Sequence, residues 1–202
     1  MANVSRINGF KPVGTLSGGM GSIGWIQRCL KDEDDSADMA VGDPVKLAAN
    51  NESVTCPTVT AWTTTTNENY GIVVGFENWD GSDSLVTQSL DKPRYSAAST
   101  RAYPLVAISP DLVFEAQVAA LEDGDVGAQA DPIDGGQDAT AQTSGFYLDT
   151  AAATATLGCH ILEVIDRPDN IIGTYGKVLA TWNMHALGRG ITTTGGMTGV
   201  HA

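Results

Sequence analysis

The sequence predicts a mainly β fold, a compact antiparallel β-barrel or sandwich, and three observations predict it. Short apolar or alternating runs recur between turn residues at fairly regular spacing, as in all-β domains. Only one stretch, residues 111–121, carries a helical period at all, and it alternates as well. Charged residues make up 17% of the chain, below the roughly one quarter usual in globular proteins. Thr, Ser, Ala, Asn and Gly take their place, which suits strands, turns and wide protein contacts. At 202 residues, 42% of them apolar, the chain is sized for one domain with extensions and a core that needs no staples.

Residues 1–27 are predicted to form an extended N-terminal arm. Asn8-Gly9, Pro12, Gly14, Gly18-Gly19, Gly21 and Gly24 forbid a stable helix and weaken a long strand. Ile7, Phe10, Val13, Leu16, Ile23, Trp25 and Ile26 are interleaved with them, too many apolar side chains for a solvated linker. Such an arm packs on a partner or lies over its own domain. Residues 28–187 are the predicted β-rich core domain, opening with the charge-dense stretch Lys31 to Asp38, an exposed loop.

Strand candidates follow at 44–48, 53–62, 70–76, 85–87, 102–108, 113–118, 145–149, 156–165 and 175–185. In 53–62 a period of two puts Val54, Cys56, Thr58, Thr60 and Trp62 on one face. Residues 70–76 are a short continuous apolar run, the pattern of a buried strand. Within 111–121 the alternation of Val113 to Val118 favours strand over helix. In the last candidate Val178, Ala180, Trp182 and Met184 alternate with Leu179, Thr181, Asn183 and His185. The last two are the longest and should lie centrally, with short connections favouring antiparallel pairing. Residues 123–144, rich in Gly, Asp, Ala, Gln and Thr, read as loop, and 188–202 as a flexible Gly/Thr-rich C-terminal tail.

With 24 acidic against 11 basic residues the net charge is -13, so the average field repels phosphate, and neither nucleic acid nor a membrane surface is an expected partner. The cations are scattered and never form a run that could track a phosphate backbone. Cys29, Cys56 and Cys159 match neither a disulfide framework nor a zinc pattern and read as buried thiols made in a reducing cytoplasm. No apolar leader and no membrane-length segment is visible.

No catalytic or cofactor pattern survives inspection. Glu122-Asp123-Gly124-Asp125 with Asp131, Asp134 and Asp138 offers hard oxygen ligands, but not at calcium-loop spacing, so no metal is predicted. Cys159 and His160 are neighbours within a strand, which sends them to opposite faces. His185 and Asp166 have no spacing that specifies a catalytic grouping. Leu16 to Gly21 is glycine-rich, yet no Gly-Lys-Ser or Gly-Lys-Thr follows to make a phosphate loop. Trp62 and Trp182 fall in alternating strands as core residues, while Trp79 reads as a turn residue with a contact role. The chain is therefore expected to be a non-enzyme without cofactors.

The opening Met1-Ala2-Asn3-Val4-Ser5-Arg6-Ile7-Asn8-Gly9-Phe10-Lys11-Pro12-Val13 resembles the start of small virion proteins of tailed bacteriophages, the capsid decoration or cement family. The resemblance continues through Val41-Gly42-Asp43-Pro44-Val45-Lys46-Leu47, Gly71-Ile72-Val73-Val74-Gly75-Phe76, Tyr103 to Ala107 and Val113-Phe114-Glu115-Ala116-Gln117. Asp166-Arg167-Pro168-Asp169-Asn170 and then Tyr175 to His185 complete it, in the family's order. It implies a β-rich, non-enzymatic head-stabilisation protein, bound to the major capsid protein on the outer surface of the virion and often trimeric. On that reading Ile7, Phe10 and Trp25 of the arm are the expected capsid-contacting anchors, since buried aromatics dominate interface energy. The alternatives are a neck, tail or other minor structural virion protein, and a carbohydrate-binding host-attachment module using Trp79 and the acidic loops.

Overall fold

Alternation of apolar with polar residues builds sixteen strands and no helix among the described residues. The computed structural model describes residues 3, 5, 7–49, 53, 55–62, 68–77, 94–151 and 158–187. In chain order the strands are β1 (Lys11–Thr15), β2 (Gly19–Met20), β3 (Ile26–Arg28), β4 (Met39–Ala40), β5 (Pro44–Leu47), β6 (Val59–Ala61), β7 (Gly71–Glu77) and β8 (Tyr95–Ser96). They continue as β9 (Tyr103–Ala107), β10 (Leu112–Gln117), β11 (Ala120–Leu121), β12 (Gln129–Asp134), β13 (Phe146–Asp149), β14 (Cys159–Val164), β15 (Gly173–Thr174) and β16 (Lys177–Trp182). All pairings between them are antiparallel.

A seven-stranded sheet runs β13-β12-β14-β16-β10-β1-β2 and a five-stranded sheet β3-β9-β7-β5-β6, with the small pairs β4-β8 and β11-β15 beside them. Neither large sheet closes on itself, so the fold is a sandwich rather than a barrel. The main core lies between the two sheets. Leu112, Phe114 and Ala116 of β10 and Val178, Ala180 and Trp182 of β16 point into it from one side, Ile72 and Ala107 from the other. A second cluster covers the opposite face of the five-stranded sheet, where Val73, Phe76 and Val106 meet Cys29, Met39 and Tyr70. The five-stranded sheet, buried on both faces, thus serves both cores, which is why β7 reads as a continuous apolar run.

A bulge makes this double use possible. Along β7 and β9 the register shifts between Val73 and Gly75. Ile72 packs in the main core and Val74 against it, while Phe76, which regular alternation would place beside them, belongs to the second cluster. One extra residue re-aims the ring to the other face.

Of the two expected placements of the arm, its described residues take the one over their own domain. β1 pairs with β10 along one side and β2 along the other, so Lys11–Thr15 is an integral strand. Phe10 is 1% exposed and stacks on Phe114, ring centroids 4.9 Å apart, with Trp182 edge-on at 5.7 Å. The glycines that argued against regular structure instead let the backbone turn tightly. Gly9 and Gly42 both have positive φ, and the Phe10 N–H donates to the Gly42 carbonyl at 2.8 Å.

Other expectations shift as well. Residues 129–134, read as loop, form β12, whose Ala130 enters the main core and whose ladder runs to both β13 and β14. Its acids and Pro132 conceal the strand because their propensity is poor and only neighbours on both sides hold it. The candidate at 53–62 shrinks to β6, since residues 55–56 bend and Pro57 has no N–H to give a ladder. Residues 85–87, Trp79 and the tail lie outside the described residues. β14 and β16 take interior positions in the seven-stranded sheet, as their length suggested.

Two buried charges fasten the loops. Lys31 is fully buried at the base of the acidic stretch, and its Nζ donates to the carbonyls of Ala97 at 3.0 Å and Thr100 at 3.3 Å. Burial lowers its pKa, opposed by the charges of Asp35, Asp38 and Asp32. Asp43 is likewise fully buried, and its Oδ2 accepts from the Ala40 N–H at 2.7 Å and Gln137 Nε2 at 3.1 Å. Burial pushes its carboxyl up to about 7, against the hydrogen bonds from Ser144, Ala40 and Gln137.

Candidate functional site

The residues that could carry nucleophilic chemistry are dispersed into structural roles. Cys159 points into the main core and His160 to the opposite face, half-buried. Burial raises the Cys159 thiol well above its ordinary range, and Cys29 up to about 12, so neither supplies a thiolate at neutral pH. His185 is buried, its Nδ1 accepts from the Leu187 N–H at 3.1 Å, and its ring lies 6.5 Å from that of Tyr70. Among the described residues no grouping of three or more His, Cys, Asp or Glu is arranged to hold a metal ion.

The three expected anchors part company. Phe10 is a core ring and unavailable to a partner. Ile7 is half-buried and lines a small cleft of about 310 Å³ with Val118, Tyr147 and Tyr175 of its own domain. Asn3 fastens the same stretch, donating to the Ile171 and Thr174 carbonyls at 2.7 and 3.0 Å and accepting from the Ile171 N–H at 2.9 Å. Trp25 alone is free, with 72% of its surface exposed.

Trp25 does not stand in a loose segment. Its carbonyl accepts from the Ile108 N–H at 2.9 Å, and the Leu16 N–H donates to the Asp111 carbonyl at 2.9 Å, so both residues hang from the turn between β9 and β10. The Asp111 carboxylate accepts from the Ser17 N–H at 3.0 Å and from the hydroxyls of Ser17 and Ser109. Burial works to raise its pKa, but these hydrogen bonds outweigh it and hold the carboxyl below its usual range. Leu16, Met20, Trp25 and Ile26 are all exposed large apolar side chains. They stand on or beside β2 and β3, the terminal strands of the two large sheets. The sequence marked Trp25 by its type; its exposure and rigid mounting are tertiary facts.

A different surface was not legible in the sequence. A cleft of about 740 Å³ opens where the N-terminal chain enters the seven-stranded sheet, and among the described residues Lys11, Arg94, Arg167 and Lys177 line it against one carboxylate, Glu115. Arg167 grips both oxygens of Glu115, at 3.2 and 2.9 Å, and Lys177 Nζ stands 3.8 Å from it. Four of the 11 cations in the chain thus meet in one place.

No family model matches the chain. A comparison with curated proteins finds no relative either. The assignment of a role therefore rests on the geometry and on the resemblance of short ordered segments.

Proposed function

We propose that this chain is a structural virion protein that binds the assembled major capsid lattice of a tailed phage and stabilises it, as a decoration or cement protein. The observation that carries this reading is Trp25, a largely exposed indole on a backbone pinned to the β9–β10 turn, with Leu16, Met20 and Ile26 exposed beside it in the chain. Exposed apolar side chains gathered at sheet edges mark a protein contact. A preorganised aromatic loses little conformational freedom on docking, which makes it an effective anchor. β2 and β3 are only two and three residues long, so the contact is carried by side chains more than by strand addition. A protein that binds the assembled lattice more tightly than loose subunits shifts the equilibrium toward the intact shell. The acidic body, net -13, suits the outer face, away from packaged DNA.

The test is co-sedimentation with mature capsids that lack the protein, followed by comparison of the temperatures at which bare and loaded particles break. Saturable binding with a raised breaking temperature is expected. Trp25→Ser should weaken that binding at least about tenfold, as loss of a central aromatic does, with no change in the urea midpoint of the free protein. Absence of binding to capsids, or binding to isolated tails in its place, overturns the reading.

A further inference from the structure

The cationic cleft is not neutralised by its own acid. Glu115 of β10 is the one carboxylate lining it among the described residues, and Arg167 holds both of its oxygens while Lys177 Nζ stands 3.8 Å away. One negative charge against those two cations leaves one positive charge over. Lys11 and Arg94, both exposed, pair with no carboxylate among the described residues and bring the surplus to three. Like charges around one opening repel each other, and a bound anion relieves that repulsion as well as adding its own attraction.

The backbones that carry these cations are fixed. Lys11 stands opposite Glu115 in the ladder of β1 with β10, and Lys177 opposite Gln117 in the ladder of β10 with β16. Arg94 precedes β8, and its carbonyl accepts from the Val41 N–H at 2.8 Å. Only side chains therefore have to order on binding, which keeps the entropic cost low. Phe10, Ile23, Val73 and Val74 supply apolar wall, and low polarity strengthens each charge pair formed against it. At about 740 Å³ the cleft lies within the roughly 300–1,000 Å³ usual for small-ligand sites.

We propose that the cleft binds a compact oxyanion carrying two or more negative charges, with Lys11, Arg94, Arg167 and Lys177 as its partners. A single charge would leave most of the surplus uncompensated, whereas two or three nearly cancel it. Phosphate and carboxylate oxygens share the required chemistry, since the guanidinium fork of Arg94 takes either in two parallel hydrogen bonds and a lysine serves either as a point charge. The net charge of -13 repels a long polyanion along its whole length. A compact anion meets the surplus at contact distance, and charges farther off than about 8 Å are largely screened at physiological salt. Such binding is a property of the free chain and is independent of the capsid reading.

Isothermal titration calorimetry of the purified chain tests it, with pyrophosphate, citrate and acetate as separate probes. At about 50 mM salt, pyrophosphate or citrate should bind saturably at one site, at least about tenfold more tightly than acetate, and should weaken at least about tenfold by about 500 mM, where charges are screened. Tighter binding of pyrophosphate assigns the site to phosphate compounds, tighter binding of citrate to polycarboxylates, and equal binding makes charge alone its criterion. Lys11→Gln with Arg94→Gln should weaken binding at least about tenfold. Glu115→Gln should tighten it severalfold, because Arg167 and Lys177 are then released to the ligand. Glu122→Lys with Asp123→Lys changes the net charge more, but at exposed residues that do not line the cleft, and should leave affinity within about twofold. Circular dichroism of each variant confirms that it is folded. The bound anion should also protect Lys11 from acetylation by an amine-reactive reagent, read by peptide mass spectrometry. The proposal is overturned if neither multivalent probe binds more tightly than acetate, if the Lys11 and Arg94 variant binds as the wild type does, or if the Glu122 and Asp123 variant tightens as much as Glu115→Gln. Capsid binding by a chain that binds no anion would refute this inference and leave the proposed function standing.

Discussion

Phe10 stands between Gly9 and the start of a strand, and it is the ring on which Phe114 and Trp182 close the main core. Removing it leaves a cavity among aromatic neighbours that cannot collapse, so Phe10→Ala should cost about 3–5 kcal/mol in denaturant unfolding. Phe10→Leu should cost much less, because it refills most of the volume. Asp43 is the residue through which pH should act. Its folded carboxyl titrates near 7 against about 3.9 for an unperturbed Asp. Between those values the folded state holds a proton that the unfolded state has released. The sign follows from linkage: this contribution to stability is complete below about pH 4 and is lost as pH rises toward 7, with ~4 kcal/mol over the whole window. Asp43→Asn keeps the acceptor for Ala40 and Gln137 and cannot ionise. Urea unfolding at pH 5 and pH 8 should therefore show the wild type losing more stability with rising pH than the variant does. Neither Asp43 nor Lys31 was legible as a buried charge, because burial of a single ionisable residue leaves no periodic trace in the chain.

At the scale of elements, alternation and short apolar runs located β5, β7, β9, β10, β13, β14 and β16, whose side chains face a core on at least one side. They missed β1 and β12, where glycine, proline or acid content argues against a strand and pairing on both sides overrides it, and they also missed the short β2, β3, β4, β8, β11 and β15. The Gly42 turn is the joint among these elements. Its N–H donates to the Val73 carbonyl and its carbonyl accepts from Phe10, each at 2.8 Å. Its φ is +101°, and a Cβ there would stand 2.7 Å from the Asn8 carbonyl oxygen. Gly42→Ala should therefore destabilise by at least about 1–3 kcal/mol, from backbone strain together with the close approach to the Asn8 carbonyl, read as a shift of the denaturant midpoint at unchanged m-value. An equal effect from alanine at Gly124, a positive-φ glycine with open space around its missing Cβ, would assign the loss to φ rather than to the joint.

For the whole molecule, one sheet shared by two cores makes a single cooperative body, and the described residues from 7 to 27 belong to it. A chain starting at residue 28 would lose β1, β2, most of β3 and Phe10 together. It should show no cooperative thermal transition, whereas Trp25→Ser should melt as the wild type does. Composition, alternation and breaker spacing were enough to determine a mainly β antiparallel fold, its central strands, the core positions of Trp62 and Trp182, and the separation of Cys159 from His160. Those features depend on short-range periodicity, which the chain carries in its own order of residues. The packing of Phe10, the exposure of Trp25, the burial of Asp43 and Lys31, and the gathering of Lys11, Arg94, Arg167 and Lys177 around one cleft depend on which distant segments become neighbours. Cations that are scattered along the sequence acquire a common field only when the sheets bring them together, so only the tertiary structure could decide that this acidic protein carries a basic site.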